Sequence, residues 1–200
     1  MITEVYDIFI KSSDAEKIAF FCSILYVITA AQQKKYCWLF SIVSTCIYIQ
    51  LTFAVNLFFE SVLNVFYLLV AVKGLWDWNQ HSKVNTNKIH FKTFKFHFKV
   101  ISLGLLVVLV LGFVAQKFTT QSLSYLDAYT TVFSFITTYM VIKKIIENWI
   151  YWIVIDSLSV YLYYAKNLKL TAVLFFIFTL LAFYGFYNWK RLMNQSKSLS

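Results

Sequence analysis

Hydrophobic positions fall into seven uninterrupted runs, about 18–33, 38–54, 57–78, 100–116, 124–142, 149–165 and 169–189, separated by short polar stretches. Each run is close to the roughly 20 residues that an α-helix needs to cross the hydrocarbon core of a bilayer, and the shortest suffice if their flanking residues snorkel. The runs lack the alternation that a membrane-barrel strand requires. The pattern predicts an all-α polytopic membrane protein, with residues 1–200 forming one transmembrane domain. The first seven residues carry no basic run, so no signal peptide is expected there.

Composition strengthens this picture. Hydrophobic residues make up 60% of the chain, charged residues 14%, and mean hydropathy is +0.66. A soluble domain of this length has too little interior for so much apolar surface. There is no proline and there are four glycines, which predicts long unbroken helices. Cys22, Cys37 and Cys46 lie within or beside apolar runs without metal-ligand spacing, and read as core thiols. No phosphate-binding glycine loop or zinc motif is present, so neither a cofactor nor a metal is expected, and transport driven by ATP hydrolysis in this chain is excluded.

The net charge of +9 would suit a nucleic-acid partner if it were not confined to short clusters between apolar runs. One side of the expected membrane receives Lys34, Lys35, Lys83, Lys88, Lys92, Lys95, Lys99, Lys143, Lys144, Lys190, Arg191 and Lys197. The other receives Lys11, Lys17, Lys117, Lys166 and Lys169, with Lys73 near the inner end of the third run. The positive-inside rule places the richer side in the cytoplasm, the N-terminus outside and the C-terminus inside. His81, His90 and His97 share the basic segment 79–99, which reads as a solvated cytoplasmic connector near anionic lipid.

The chain repeats itself at an offset of 111 residues. Trp38 pairs with Trp149; Ala54, Asn56 and Leu57 with Ala165, Asn167 and Leu168; Val62 and Leu63 with Val173 and Leu174; and Ala71, Gly74 and Trp78 with Ala182, Gly185 and Trp189. This divides the chain into a first repeat at 14–78, a connecting helix near 100–116 and a second repeat at 125–189. Corresponding helices are four crossings apart, so the halves point the same way. The result is a 3+1+3 parallel repeat of the SWEET type, in which solutes bind between the halves near the midplane. Duplication for structure alone is the alternative.

Polar residues inside the runs mark candidate chemistry, because ionisable groups at that depth are costly. Trp149, Trp152 and Asp156 share one face of the sixth helix at i, i+3 and i+7. Two indoles beside a carboxylate can sandwich a flat cationic ring by stacking and cation–π attraction. Trp149 alone also fits an interfacial belt residue. On the third helix, Glu60, Asn64 and Tyr67 are spaced i, i+4 and i+7; Asn64 can donate and accept, while Glu60 also reads as an interfacial carboxylate. On the fifth, Asp127, Thr131, Ser134 and Thr138 form a stripe, from which Ser134 and Thr138 are the candidate ligands. Such hydroxyls often bond their own backbone instead.

At the sixth run these residues become specific. Glu147-Asn148-Trp149-Ile-Tyr-Trp152-Ile-Val-Ile-Asp156 resembles the W-x-x-W-x-x-x-N/D signature of the Pnu vitamin transporter family, best known for nicotinamide riboside transporters. Asn56-Leu57 through Gly74-Leu-Trp76-Asp-Trp78, and Gly185-Phe-Tyr-Asn-Trp189, resemble other segments of that family, and the likeness covers about residues 18–192. The resemblance implies a homotrimer in the bacterial inner membrane that moves a vitamin by facilitated diffusion, a separate kinase trapping it inside. Trp149, Trp152 and Asp156 carry over from the motif. This chain has Asp156 where many nicotinamide riboside members have Asn, and Asn64 where some have Gln. Nicotinamide riboside is the expected solute and thiamine the alternative. An intramembrane enzyme or scaffold is the remaining class, and no nucleophile–base pair supports an enzyme.

Overall fold

The computed structural model describes residues 9–10, 12–54, 58–80, 89–118, 123–165 and 169–198, without the side chains of residues 52, 58–60, 62 and 196–198. Among the described residues the chain forms seven long helices: α1 (Asp14–Ala31), α2 (Cys37–Ala54), α3 (Phe58–Gln80), α4 (Phe94–Phe118), α5 (Ser124–Ile142), α6 (Asn148–Ala165) and α7 (Lys169–Ser198). Each of the seven apolar runs lies within its helix to a residue or two, the largest overhang being that of 18–33, which passes the end of α1 at Ala31 by two residues. The largest differences in length are at α4, which begins at Phe94 rather than near 100, and α7, which runs nine residues past 189. Hydropathy marks only the part of a helix at lipid depth. The polar turns Lys95–Lys99 and Lys190–Lys197 continue the same backbone hydrogen bonding beyond it.

Two compact units are present, Met1–Asn87 and Lys88–Ser200. In the first, α1 packs on α2 and α2 on α3; in the second, α4 packs on α5, α5 on α6 and α6 on α7. Ser13 caps α1 by accepting a hydrogen bond from the Glu16 backbone N–H at 3.1 Å, and Asp14 and Glu16 place negative charge at the positive end of that helix.

The hairpin turns of the two units are built alike. After α1, Gln33 adopts φ 59°, the Lys34 N–H donates to Thr29 O at 3.0 Å and the Gln33 N–H to Ala30 O at 3.0 Å. After α5, Lys144 adopts φ 54°, the Ile145 N–H donates to Met140 O at 3.0 Å and the Lys144 N–H to Val141 O at 3.0 Å. Both are Schellman closures, in which one left-handed residue lets two amides bond the last carbonyls of the helix. Every residue pair in the two turns differs by 111 positions. The same holds for the packing of Trp38 in one unit and Trp149 in the other. Trp38 meets Trp78 edge to face at 5.6 Å, and Trp149 meets Trp189 in the same way at 5.5 Å. A Cβ on Gly74 would lie 2.5 Å from the Trp38 ring, and one on Gly185 2.5 Å from the Trp149 ring. Only glycine leaves room for the indole in either place.

The exposed face of α4 is apolar along most of its length. On α4, Leu103, Leu105, Leu106, Val107, Leu109, Val110 and Leu111 are exposed, while Gly104, Val108 and Gly112 form the buried stripe at i, i+4 and i+8. Gly104 packs under Phe133 and Gly112 under Tyr125, both of α5. Exposed apolar surface of this extent is not compatible with water. Phe94–Phe118 and Lys169–Gln195, which contain 18-residue stretches of mean hydropathy 2.6 and 2.1, are long and apolar enough to cross a membrane.

Candidate functional site

The second unit holds most of the predicted site. Along α6, Asn148, Trp149, Ile155, Asp156, Ser159 and Leu162 are buried, a stripe that keeps the face predicted for Trp149 and Asp156 turned inward. Asp156 is 3% exposed, and among the described residues no hydrogen bond or ion pair reaches its carboxylate. A buried ionised group without a partner is expensive, so the arrangement suits a cation that arrives from elsewhere. Trp152, one turn earlier, is half-buried. It packs with Tyr129, Ile136 and Tyr151 against a core of Val108, Ala128, Val132, Phe133 and Ile155. Tyr129 stacks on Phe133 at 4.5 Å within that cluster. The indole of Trp152 is thus held on its protein side while part of it stays open.

Trp149 has a different setting. It is 2% exposed, closed in by Trp189 and by the bare backbone at Gly185. Its ring is committed to the contact between α6 and α7, as Trp38 is committed between α2 and α3. The structure therefore brings Trp152 and Asp156 onto one partly open face of α6, with Trp149 as a packed frame at its start.

On α5, Ser134 and Thr138 are buried, and the Thr138 hydroxyl donates to Ser134 O at 2.7 Å, bonding its own helix. Thr130 does the same to Asp127 O at 3.0 Å. Thr137, which falls outside the predicted stripe, is fully buried, and its hydroxyl has no partner among the described residues. Ser159, one turn beyond Asp156, is likewise buried. Both lie one helical step from residues already singled out, and i+3 spacing was the signal available for them. In the first unit, Asn64 and Tyr67 are half-buried on α3, while the Glu60 side chain lies outside the described residues.

The basic connector departs from expectation at its C-terminal end. His81 lies outside the described residues, but His90 and His97 are not merely solvated. His90 pairs with Ile145 in a short parallel bridge: its N–H donates to Lys144 O at 3.2 Å and its carbonyl accepts from the Ile146 N–H at 3.1 Å. His97, on the first turn of α4, lies 3.0 Å through Nε2 from Glu147 Oε1 and 3.0 Å through Nδ1 from the Tyr151 hydroxyl. The Lys92 N–H donates to the same Glu147 oxygen at 2.9 Å. The physical reason is local: Glu147 is an acid among basic neighbours at the head of α6, and burying it requires donors. Glu147 Oε2, Asn148 Oδ1 and Trp149 Nε1, on three consecutive residues, are buried without partners among the described residues. No cluster of metal-ligating side chains occurs among the described residues.

Residues 13–191 match the family described as nicotinamide mononucleotide transporter. The nicotinamide riboside transporter PnuC of Escherichia coli strain K12 is 18% identical to this chain, the alignment covering 87% of this chain and 84% of that protein; the PnuC of Shigella flexneri matches to the same extent. Among solved structures, the crystal structure of the vitamin B3 transporter PnuC superposes with a TM-score of 0.76 at 21% identity, covering 97% of this chain and 88% of the other. The fold is thus that of a transporter with several membrane-spanning helices.

Proposed function

The chain belongs to the nicotinamide mononucleotide transporter family, a family of multi-pass membrane transporters and not of enzymes, and from that premise we propose that it carries nicotinamide riboside across the membrane by facilitated diffusion. The observation that supports this solute is the partnerless, buried carboxylate of Asp156 one turn from the half-open Trp152. Nicotinamide riboside presents a flat pyridinium ring with one positive charge. The indole offers it a stacking face and the carboxylate a counter-charge in a region where water screens poorly. Trp149 fixes the start of the same helix from its packed position. Asn64, Tyr67, Glu60, Ser134 and Thr138 complete the reading as groups for the ribose and amide.

In this reading the two similar units form a 3+1+3 parallel repeat, with repeats at 14–78 and 125–189 joined by α4. The duplicated Schellman turns and the duplicated Trp–Gly–Trp packing at an offset of 111 support it. The basic clusters support a cytoplasmic C-terminus and an external N-terminus, and the family resemblance supports assembly as a homotrimer in a bacterial inner membrane. A cation entering a cell that is negative inside gains roughly 2.3 kcal/mol per charge per 100 mV, so downhill movement suffices without a second ion.

Thiamine is the second reading. It too is a cationic aromatic vitamin, and the carboxylate of Asp156, in place of the Asn of many nicotinamide riboside carriers, suits any such cation. Equilibrium binding of both vitamins to the purified protein separates the two. Nicotinamide riboside is expected to bind the more tightly; tighter binding of thiamine, with nicotinamide riboside unable to displace it, would reverse the assignment.

A further inference from the structure

The contacts of His97 have no place in solute recognition as derived so far, yet they are the polar tie between the first turn of α4 and the head of α6. A carboxylate only accepts, so the imidazole donates through Nε2–H to Glu147. A neutral ring then has a free lone pair at Nδ1, which accepts from the Tyr151 hydroxyl. Both ring nitrogens and the hydroxyl are satisfied at once, at 3.0 Å each. The side chains of His97 and Glu147 are 15% and 13% exposed, so the bonds are largely shielded from water. The tie is reinforced by the Lys92 N–H on Glu147 and by the bridge of His90 with Ile145.

What this tie holds is specific. Along its length α4 packs on α5, through Gly104, Val108 and Gly112, and at its start the hydrogen bonds of His97 tie its first turn to the head of α6. Tyr151 immediately precedes Trp152, and both pack on the cluster around Phe133; the rings of Tyr151 and Phe133 lie 6.4 Å apart. Bonds at Glu147, immediately before α6, and at Tyr151, on its first turn, fix two points about one turn apart. Two points set the rotation of a helix about its axis as well as its height. That rotation decides where Trp152 and, one turn on, Asp156 point.

We propose that His97 is a positioning residue for transport: through Glu147 and Tyr151 it sets the orientation of α6 and thereby the indole of Trp152 that receives the solute. This rests on the reading of Trp152 and Asp156 as the recognition pair. His97 does not touch the solute; its effect passes through the helix.

The test combines a signature that needs no solute with one that does. Iodide quenching of Trp152 fluorescence is obtained as the difference between each purified protein and its Trp152→Phe counterpart. Nicotinamide riboside affinity is measured by calorimetry on the same folded samples. His97→Leu removes both bonds. Tyr151→Phe removes one. His97→Gln retains one donor and one acceptor, as the neutral imidazole does. His97→Leu is expected to change the quenching of Trp152 and to weaken binding about three- to tenfold, the range one or two hydrogen bonds supply. Tyr151→Phe should have a smaller effect of the same kind and none in the His97→Leu background, and His97→Gln should restore both readouts. Unchanged Trp152 quenching in folded His97→Leu, additive losses in the double variant, or a Gln variant as impaired as the Leu variant would each overturn the proposal. If wild type does not bind nicotinamide riboside, the functional reading fails, while the quenching series still decides the positioning role. Should His97→Leu not fold, Tyr151→Phe gives the same decision through the same two readouts.

Discussion

Replacing Asp156 by Asn changes a charge and almost nothing else, and the structure assigns opposite signs to its two consequences. The side chain is 3% exposed, with no hydrogen bond or ion pair to its carboxylate among the described residues. In the empty protein, therefore, the charge has a desolvation cost and no compensating protein contact. Asn has the same shape and a far smaller desolvation cost, so the unliganded Asp156→Asn protein should be as stable as wild type or more so. Binding should move the other way. A charged contact is worth about 1.5–3 kcal/mol, of which a neutral amide keeps a minor part. At 1.4 kcal/mol per factor of ten, the loss is about ten- to a hundredfold in Kd for a cationic vitamin. The assay is calorimetric titration with nicotinamide riboside alongside thermal unfolding in the same detergent. Wild-type affinity in a protein that unfolds more easily would refute the reasoning, since it would make Asp156 a structural group with a hidden partner.

Other consequences follow from the same geometry. Trp152→Ala should cost about 1–3 kcal/mol of binding, the value of one stacking face by analogy with bases on aromatic side chains, with a smaller loss of stability than a fully enclosed ring gives, because the ring is only half-buried. Trp149→Ala should do the reverse, lowering stability by about 3–5 kcal/mol because its fully enclosed ring leaves a cavity; paired melting and titration curves check both. Gly74→Val and Gly185→Val should destabilise by similar amounts, about 1–3 kcal/mol each, because either side chain would be driven into an indole at the same 2.5 Å approach. Melting temperatures that fall for only one of the two would contradict the equivalence of the packing.

The helices were legible because lipid imposes one rule on every residue that faces it, and hydropathy reports that rule directly. The offset of 111 was legible because indoles and glycines are scarce enough for their coincidence to carry information. What they do together was not. That Gly185 is the seat of Trp149 depends on where two helices cross, so a residue that reads as a ligand from its spacing on α6 takes up a packing contact with α7. The left-handed Gln33 and Lys144 carry no sequence signal, since neither is the glycine or asparagine that usually marks such a turn. His97 was hidden by its neighbours: among lysines it looks solvated, and only its distant partner Glu147, 50 positions on, reveals otherwise. A buried acid beside basic residues was the clue that called for a donor. On α5, the warning that Ser and Thr bond their own helix applied to Thr138, whereas Thr137, off the predicted stripe, is the hydroxyl left without a partner.

Counterflow in proteoliposomes tests the central claim most directly. Vesicles containing the purified protein are loaded with unlabelled nicotinamide riboside, diluted into labelled nicotinamide riboside with no ion gradient and followed for label inside, while unloaded vesicles given nicotinamide riboside outside are followed for internal pH during net uptake. Facilitated diffusion through a site built on Trp152 and Asp156 predicts transient accumulation of label at full rate, no change of pH, and no accumulation with Asp156→Ala. Label entering no faster than into protein-free vesicles would contradict transport of this solute, and acidification of the interior in step with uptake would contradict movement of the solute alone.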